Sequence, residues 1–580
     1  MKKLVFIIQL FIAFSAFAQA RQFIWPEGAM PYFQAHQLAK MTSEEGNNKY
    51  PYLEWCEKPS APNGVCMILI SGGGYNSCCD VRLVKIFADK FTKAGFQCVN
   101  LVYRTPRPKG GLEFYKSAWA DGQRAVRLVR SQAANRGFDP EKIGTISMSA
   151  GSHLATLLAT SSQSAAYEKI DTLDDVSCHI NFAITGAIAY ALTDGLGTPN
   201  SRDGYWAKLD SVFKFDEKTA PMCMFHGSAD IYSPLASTRV YRQLRKRKVP
   251  AELHLFADRG HGFWGDLEKI ENVASYDRWF DRALEFLTQL GFLGKVKPEE
   301  ELDKRYAVDY HDKSKYSKEN LWPKGKIPDF QKKQNIPYLE WYIPSNLTTK
   351  AIQIIYSGGS YMSNSPEWFE VAPMRRFLNE KGMAVVTMMY RTPRPAAPLA
   401  KHLTAWQDLQ RCIRLVRSQA QSKGLDPKRI GIMGSSAGGH LTLMGVTSSR
   451  SKSYLNVDKV DKVSCKVQWG VGIYPAYALS DGLEAYNKTG GNDDSAVLAQ
   501  EFVFDADTAP MVLIHGDIDG WAAMNSVKVW EKMKAMGIGS DLHTLCLRNH
   551  CFQRKASPGT GSYTWMERIW EFLNHKNFNK

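Results

Sequence analysis

The chain carries the same long pattern of residues twice. The run Tyr103–Pro108 recurs unchanged at Tyr390–Pro395, and Arg127–Ala133 recurs at Arg414–Ala420. Both pairs share one offset of 287 residues, from 103 to 390 and from 127 to 414. A match this long indicates duplication of a whole domain, because solenoid repeats are only about 20–50 residues long. The 580 residues therefore predict two large domains, since a single core rarely serves more than about 250–300 residues.

The N-terminal segment has the composition of a targeting sequence. Lys2 and Lys3 precede an apolar run at residues 4–17 and the small residues Ala18-Gln19-Ala20. This pattern predicts a signal peptide at 1–20, cleaved near Ala20, and hence a secreted or periplasmic protein. No apolar run reaches the roughly 20 residues that a membrane-spanning helix needs. We therefore expect no membrane insertion.

The limits of the two copies follow from short landmarks in the sequence. Trp25-Pro26 and Trp322-Pro323 stand near the start of the first and the second copy. A charged stretch at 295–320 lies between the copies and is predicted to be a linker. We accordingly expect the first domain at 21–294 and the second at 321–580.

The overall composition excludes several classes of protein. A hydrophobic content of 44% is typical of globular domains. The 11 cysteines form no Cys-x-x-Cys pair, so neither a disulfide framework nor a metal site is predicted. The net charge of +15 suits either a polyanionic partner, such as a polysaccharide with uronic acids, or a basic surface without a specific partner. No nucleic-acid-binding motif accompanies the charge, so no nucleic-acid partner is expected.

Short apolar runs alternate with helical patterns in each copy. In the first copy, residues 66–70, 97–103 and 143–146 are predicted strands, and 119–135 has apolar residues near helical spacing. Strands that alternate with helices predict an α/β fold, with a mostly parallel sheet flanked by helices on both faces. Ligands of such sheets gather at the carboxyl ends of the strands, so the functional residues are sought there.

A candidate nucleophile follows the same predicted strand in both copies. Ser149 lies in Ser147-Met148-Ser149-Ala150-Gly151, and Ser436 lies in Gly434-Ser435-Ser436-Ala437-Gly438. The second segment is a full Gly-x-Ser-x-Gly nucleophile elbow, and in the first Ser147 replaces the first glycine. Small residues are needed at these positions because the elbow is a tight turn between strand and helix. Ser149 and Ser436 are the predicted nucleophiles.

A candidate acid and a candidate histidine follow in the order Ser, acid, His that such folds use. Asp230 follows an apolar strand in the first copy; both Asp517 and Asp519 follow the matching strand in the second, but Ser228 stands opposite Asp517. Asp230 and Asp519 are therefore favoured. His261 and His550 each lie 31 residues after these acids, from 230 to 261 and from 519 to 550. Three other histidine pairs are interpreted as structural: His153 and His440, His226 and His515, His254 and His543.

Donors for a tetrahedral oxyanion are predicted at two places in each copy. The backbone N–H groups of Ala150 and Ala437 directly follow the nucleophiles and supply one donor each. The second donor is expected from a glycine loop after an early strand, where a small residue lets the backbone approach a substrate closely. These loop residues are Gly73 and Gly74 in the first copy, Gly359 and Ser360 in the second.

The motifs occur in an order that resembles a known family. Ser-Gly-Gly-Gly-Tyr, Tyr-Arg-x-Pro, the Ser-Ala-Gly elbow, His-Gly-x-x-Asp and Gly-His-Gly-Phe follow one another in the first copy, largely repeated in the second. This order resembles the bacterial acetyl-xylan-esterase and feruloyl-esterase-like branch of the α/β-hydrolases. The resemblance implies two tandem α/β-hydrolase domains that hydrolyse acetyl or feruloyl esters on plant polysaccharide such as xylan, without a cofactor. Ser147, Ser152, Ser360 and the segment 520–523 depart from the family pattern.

Other functions stay open at this point. A peptidase or a lipase can use the same fold and triad, because neither fixes the acyl substrate. A carbohydrate-binding protein with a retired catalytic site is a further alternative, against which six intact triad positions argue. Arg104 with Arg107, and Arg391 with Arg394, either contact acidic sugars of the substrate or pair with internal carboxylates.

Overall fold

The computed structural model describes residues 21–41, 50–78, 81–193, 207–262, 275–306, 318–480 and 497–580. The chain divides into two compact units. The first comprises Met1–Phe225, Ile231–Val249 and Phe292–Gly294, and the second His226–Asp230, Pro250–Gly291 and Lys295–Lys580, each as far as it is described. The predicted domain limits, 21–294 and 321–580, stay a prediction.

The sheet of the first unit is parallel at its centre and antiparallel at one edge. In order across the sheet, the parallel strands are Gln97–Val102, Cys66–Ile70, Ile143–Met148, Phe182–Gly186 and Met222–Gly227. Tyr52–Trp55 pairs antiparallel with Gln97–Val102, and Gln22–Phe23 pairs antiparallel with Tyr52–Trp55. A separate pair of short strands is formed by Leu192–Thr193 and Lys208–Leu209.

The sheet of the second unit repeats this plan. In order, its parallel strands are Ala384–Met389, Ile352–Tyr356, Ile430–Ser435, Trp469–Ile473, Met511–Gly516 and Asp541–Leu545. The antiparallel edge consists of Tyr338–Tyr342 and Glu319–Asn320. On the side away from this edge, Ala251–Phe256 pairs antiparallel with Asp541–Leu545, with His254 opposite His543. Glu300–Glu301 and Lys555–Ala556 form a short separate pair.

Helices connect most of the parallel strands, because parallel pairing requires a crossover connection and a helix is the usual one. The α-helices of the first unit are Val81–Lys93, Lys116–Ser131, Ala133–Arg136, Ala150–Thr160 and Leu235–Lys246. Those of the second are Trp279–Gln289, Ala372–Glu380, Leu403–Ala420, Ala437–Thr447, Met524–Ala535 and Trp565–His575. Short 3₁₀ turns lie at Thr172–Asp175, Ser275–Arg278, Leu302–Tyr306, Gln421–Lys423 and Lys459–Lys462.

The parallel strands are buried along nearly their whole length, which is typical of sheets with helices on both faces. Every residue of Cys66–Ile70 is buried, and the strand has the predicted limits. The strand predicted at 97–103 ends at Val102, and the one predicted at 143–146 continues to Met148. The helix predicted at 119–135 is Lys116–Ser131 followed by the short Ala133–Arg136. The predicted α/β architecture is confirmed.

Two of the four arginines left open by the sequence are internal. Arg104 and Asp121 form a fully buried ion pair at 2.7 Å, and Arg391 pairs with buried Asp408 at 2.9 Å. Removing one partner of such a pair costs about 3–5 kcal/mol, because it leaves a buried charge uncompensated. Arg104 and Arg391 therefore hold the loop after their strand and do not face a substrate. Arg107 is half-buried and Arg394 exposed.

Two further segments predicted from the sequence are the signal peptide and the linker between the copies. The predicted signal peptide at 1–20 lies outside the described residues. Within the predicted linker, Leu302 is buried and Arg305 donates to the carbonyl of Tyr563 and to Glu567, at 2.6 and 2.8 Å. Among the described helices, none is long and apolar enough to cross a membrane.

Candidate active site

Both predicted nucleophiles sit at a strained turn between strand and helix. Ser149 has φ 56° and ψ −125°, and Ser436 has φ 56° and ψ −120°. Such a conformation costs a non-glycine residue on the order of 1–3 kcal/mol. The turn is held because the Ser149 N–H donates to Gly186 and the Ser436 N–H to Ile473, at 2.9 and 3.0 Å. Each serine immediately precedes a helix, which is the geometry of a nucleophile elbow.

Glycine is required beside each elbow because another backbone segment passes very close. A Cβ on Gly151 would lie 2.4 Å from the carbonyl oxygen of Ile70, and one on Gly438 2.6 Å from that of Ser357. A Cβ on Gly358 would come within 2.8 Å of the Ser436 Cβ. The loop after the early strand therefore reaches the nucleophile in the second copy. In the first copy Gly72 has the same relation to Ser149, at 2.9 Å.

The second unit contains a complete hydrogen-bonded triad. His550 Nε2 lies 2.9 Å from Ser436 Oγ, and His550 Nδ1 lies 2.8 Å from Asp519 Oδ2. The Asp519 side chain is fully buried, whereas 23% of the His550 side chain is exposed. The partly exposed imidazole thus joins the buried carboxylate of Asp519 to the hydroxyl of Ser436, a residue that is itself only 7% exposed. The structure brings the three predicted residues together, while their catalytic roles stay a prediction.

Asp519 is held as an anion by two histidines. Burial opposes its ionisation, but hydrogen bonds from His515 and His550 outweigh this effect and lower the pKa of Asp519 to about 2. His515 Nε2 lies 3.4 Å from Asp519 Oδ2, and the Trp521 N–H donates to Oδ1 at 2.8 Å. Asp517, the alternative acid, instead accepts backbone N–H groups of Arg548 and Ala251, each at 3.3 Å. The geometry favours Asp519.

The same acid–histidine pair occurs in the first copy. Asp230 lies 2.9 Å from His261 Nδ1 and 3.2 Å from His226 Nε2. Burial opposes ionisation of Asp230, yet the hydrogen bonds from both histidines hold its pKa well below the usual range. Ser149 belongs to the first unit, whereas His226, Asp230 and His261 belong to the second. Sequence reasoning missed that the histidine before each acid contacts the acid itself.

The predicted oxyanion loops adopt tight left-handed turns. Gly73 and Gly74 have φ 113° and 63°, and Gly359 and Ser360 have φ 87° and 54°. A Cβ on Gly359 would lie 2.0 Å from the carbonyl oxygen of Ser363, so only glycine fits there. Ser360 tolerates its positive φ at some cost. Ala150 and Ala437 are the first residues of their helices, with N–H groups at the helix N-terminus.

A tyrosine ties each of these loops to the nucleophile helix. Tyr75 OH lies 2.9 Å from His153 Nδ1, and Tyr361 OH lies 2.8 Å from His440 Nδ1. The two histidines interpreted as structural therefore fix the loop that carries the predicted oxyanion donors.

Ser147 replaces the first glycine of the elbow in the first copy, where its neighbour on the adjacent strand is also smaller. Ser147 lies opposite Ile70 in the sheet, and Gly434 lies opposite Tyr356. A Cβ on Gly434 would lie 2.4 Å from the Gly438 carbonyl oxygen and 2.6 Å from the Tyr356 ring. The exchange of Tyr for Ile bears only on the second of these contacts. The Ser147 Oγ donates to the Ile184 carbonyl at 3.2 Å.

A buried polar network behind the second triad was missed by the sequence analysis. The Gly358 N–H donates to Glu370 at 2.6 Å, and Tyr474 OH contacts both Glu370, at 3.4 Å, and Gln553. Ser435 Oγ donates to Gln553 at 3.0 Å. The Tyr474 ring packs on the His550 ring, with 4.5 Å between centroids. Glu370 thus connects the loop with the predicted oxyanion donors to the tyrosine ring that packs on His550.

The first copy has neither of the two hydroxyl groups of this network. Its residues at the positions of Tyr474 and Ser435 are Ala187 and Met148, neither of which has a hydroxyl. Glu370 has no counterpart in the sequence repeat, because it lies in a segment of different length in the two copies. The sequence signal for the network is the difference at two matching positions, where Tyr474 and Ser435 stand opposite Ala187 and Met148.

Replacing Glu370 by glutamine should stabilise the protein more at pH 8 than at pH 4. Burial raises the pKa of Glu370 above its ordinary value of 4.5, although the Gly358 N–H partly offsets this. As pH rises above 4.5, the side chain of residue 370 ionises in the unfolded chain before it ionises in the folded protein. The free energy of unfolding therefore falls until Glu370 ionises in the folded protein as well. Glutamine escapes this loss. Melting temperatures at the two pH values measure the difference; the exposed Glu380→Gln is the control, and equal gains at both pH values would contradict the prediction.

Aromatic side chains border the second site, where they form a half-buried wall. The Tyr477 ring packs edge-on against Trp521, with 4.6 Å between centroids, and the Lys401 ammonium lies 4.2 Å from the Tyr477 ring centroid. In the first copy Tyr190 OH contacts Tyr232 OH at 3.1 Å at the matching positions. Flat apolar faces beside polar groups suit a substrate that is itself amphipathic.

Comparison with known proteins places the chain in a family. A family model described as BD-FAE matches residues 56–244 and, a second time, residues 339–533. The chain belongs to the BD-FAE family. The two matches confirm the predicted resemblance and the tandem arrangement of two α/β-hydrolase copies.

Individual relatives of this BD-FAE protein match over shorter stretches. Endo-1,4-beta-xylanase B of Butyrivibrio fibrisolvens is 25% identical over 208 residues, which cover 34% of this chain and 32% of the relative. An acetylxylan esterase of Xylanibacter ruminicola is 32% identical over 109 residues, which cover 19% of this chain and 21% of the relative. The chain thus spans about a third and about a fifth of the lengths of these two relatives.

A solved structure is also similar. The acetyl ester-xyloside bifunctional hydrolase from Caldicellulosiruptor lactoaceticus matches with a TM-score of 0.38 and 25% identity. The match covers 46% of this chain and 97% of that chain.

Proposed function

We propose that this BD-FAE protein is a secreted carboxylic ester hydrolase that removes acyl groups, chiefly acetyl, from plant polysaccharide such as xylan. The observation that carries the proposal is the continuous hydrogen-bonded series from Ser436 through His550 to Asp519 at a strained elbow. A weak nucleophile such as serine needs this arrangement to attack an ester. The names of the acetylxylan esterase and xylanase relatives support the choice of substrate.

The mechanism follows from the positions of the three groups. His550 Nε2 takes the proton of Ser436 Oγ as the oxygen attacks the ester carbonyl carbon. Asp519 holds the imidazole with its Nδ1 proton toward the carboxylate and stabilises the imidazolium that forms. The Ala437 N–H and the loop at Gly359 and Ser360 then donate to the tetrahedral oxyanion; one such donor is worth about 10²–10³ in rate.

The second half of the cycle uses the same groups in reverse. His550 passes its proton to the leaving sugar hydroxyl, and the C–O bond of the ester breaks to leave Ser436 acylated. Water then attacks the acyl carbon while His550 accepts its proton. The bond between the acyl carbon and Ser436 Oγ breaks, His550 passes the proton to Oγ, and acetate leaves. By the match of sequence between the copies, we assign the corresponding roles to Ser149, Asp230 and His261. No step requires a cofactor.

Release of acetate from acetylated xylan tests the substrate assignment. We expect the full chain to release acetate from the polymer and from a small aryl acetate, and feruloyl release to be an additional activity. The same chain with Ser149→Ala and Ser436→Ala is the matched control and should release neither product above background. Hydrolysis of the aryl acetate without any release from xylan would reject the polysaccharide substrate and keep the esterase.

A further inference from the structure

A second group of chemically capable side chains lies next to the nucleophile helix of the second copy. His440 is on that helix, His402 precedes the helix Leu403–Ala420, and Glu501 comes from a separate loop. One ligand atom from each of the three lies within 4.8 Å of the other two. His440 Nε2 is 3.0 Å and His402 Nδ1 is 4.0 Å from Glu501 Oε1. Two imidazoles and a carboxylate form a common ligand set for zinc.

We propose that His402, His440 and Glu501 bind one divalent transition-metal ion of the zinc class. Zinc lies about 2.0–2.2 Å from nitrogen and oxygen ligands, so neighbouring ligand atoms are about 3–3.5 Å apart in a tetrahedral site. The His440–Glu501 distance already fits, whereas the His402 side chain has to approach, since its Nδ1 is 4.0 Å from Glu501 Oε1. The proposal is independent of the esterase function.

The chemistry of the three side chains suits a metal, because zinc binds imidazole nitrogens and carboxylate oxygens. The neighbouring Lys401 opposes a cation, although its ammonium lies over the Tyr477 ring.

The surroundings of the three side chains provide a hydrogen-bond partner for His440 and access from solvent. Tyr361 OH lies 2.8 Å from His440 Nδ1, on the ring nitrogen opposite to the one that would bind metal. Such a partner fixes the tautomer and the orientation of a ligating histidine. His440 is fully buried, whereas 15% of the His402 and 26% of the Glu501 side chain is exposed. An ion can therefore enter from solvent and keep a water molecule as its fourth ligand.

The first copy provides an internal comparison. It keeps the histidine, as His153, but Tyr115 stands at the position of His402. Val212 stands at the position of Glu501, since Ser161 Oγ donates to the carbonyl of Val212 as Ser448 Oγ does to that of Glu501. Two of three ligands are therefore absent from the first copy. The sequence predicts no metal because residues 402, 440 and 501 are far apart along the chain.

A zinc titration of the metal-free full chain, in competition with a chromophoric chelator, tests the proposal. We expect one zinc ion bound per chain in the micromolar range, and X-ray absorption with two imidazole ligands. His402→Tyr and Glu501→Val place the first copy's residues in the second. Each should weaken this binding by more than about 100-fold, because outer partners alone are worth about 10–100-fold.

Two further variants make the result decisive. Glu501→Gln keeps a hydrogen-bond acceptor for His440 but removes the charge, so its fold should persist while the zinc affinity falls. Tyr115→His together with Val212→Glu should create a second zinc site beside His153. Zinc binding that is unchanged in both His402→Tyr and Glu501→Gln, or a wild-type chain that binds no more zinc than these variants, would overturn the proposal. Esterase assays on the same samples report separately on the proposed function.

Discussion

Combined replacement of Ser149 and Ser436 by alanine should abolish hydrolysis of a small acetyl ester, whereas either replacement alone should remove only part of it. Loss of the nucleophile in a Ser-His-Asp site costs about 10⁶-fold in kcat, so the residual rate of the double variant falls near background. Each single variant keeps the activity of the other copy. Steady-state kinetics on an aryl acetate with all three full-length variants measures the share of each copy.

The neighbouring Ser435 offers a matched control. Ser435→Ala removes the hydrogen bond to Gln553 but leaves Ser436 and its contact with His550 in place. Its activity should stay within about tenfold of the unchanged chain, since one neutral hydrogen bond is worth about 0.5–1.5 kcal/mol. If one single variant already has no activity, then only one copy is catalytic. If the double variant keeps most of the rate, the nucleophile lies elsewhere.

The parts of the site that the sequence predicts are those fixed by local backbone geometry. An elbow needs small residues at defined offsets around Ser436, and a strand that ends in a loop places Asp519 and His550 at the same sheet edge. These requirements appear as short patterns in the chain. The structure accordingly brings Ser436, Asp519 and His550 into contact.

The parts that the sequence does not predict depend on contacts between distant segments. The pairing of Arg391 with Asp408 and the network around Glu370 join elements that no local pattern connects. The sequence does not reveal whether a glutamate such as Glu370 is buried, and it is burial that raises the pKa of this side chain. For the same reason the sequence does not decide whether Arg104 contacts a substrate or pairs with an internal carboxylate, and the burial of its side chain decides for the internal pair. Comparison of the two copies is the sequence signal that comes nearest to such information.

Replacement of Asp519 by asparagine should reduce kcat of the second copy by about 10⁴-fold with little change in KM. The Trp521 N–H donates to Asp519 Oδ1, so an asparagine keeps its carbonyl oxygen there and turns its NH₂ group toward His550. The imidazole then accepts at Nδ1 and carries its proton on Nε2, toward Ser436, where it can no longer act as a base. The measurement requires Ser149→Ala in every variant, so that only the second copy contributes.

Asp517→Asn is the control that separates the two candidate acids. Asp517 accepts backbone N–H groups of Arg548 and Ala251, and asparagine can replace only part of this pattern. The variant should lose some stability, on the order of 1 kcal/mol for one hydrogen bond, yet keep its kcat within about tenfold. A larger loss of kcat in Asp517→Asn than in Asp519→Asn would reverse the assignment of the acid. The same result would also bear on the first copy, where Asp230 matches Asp519 and Ser228 matches Asp517. Asp230 would then no longer be assigned as the acid of the first triad.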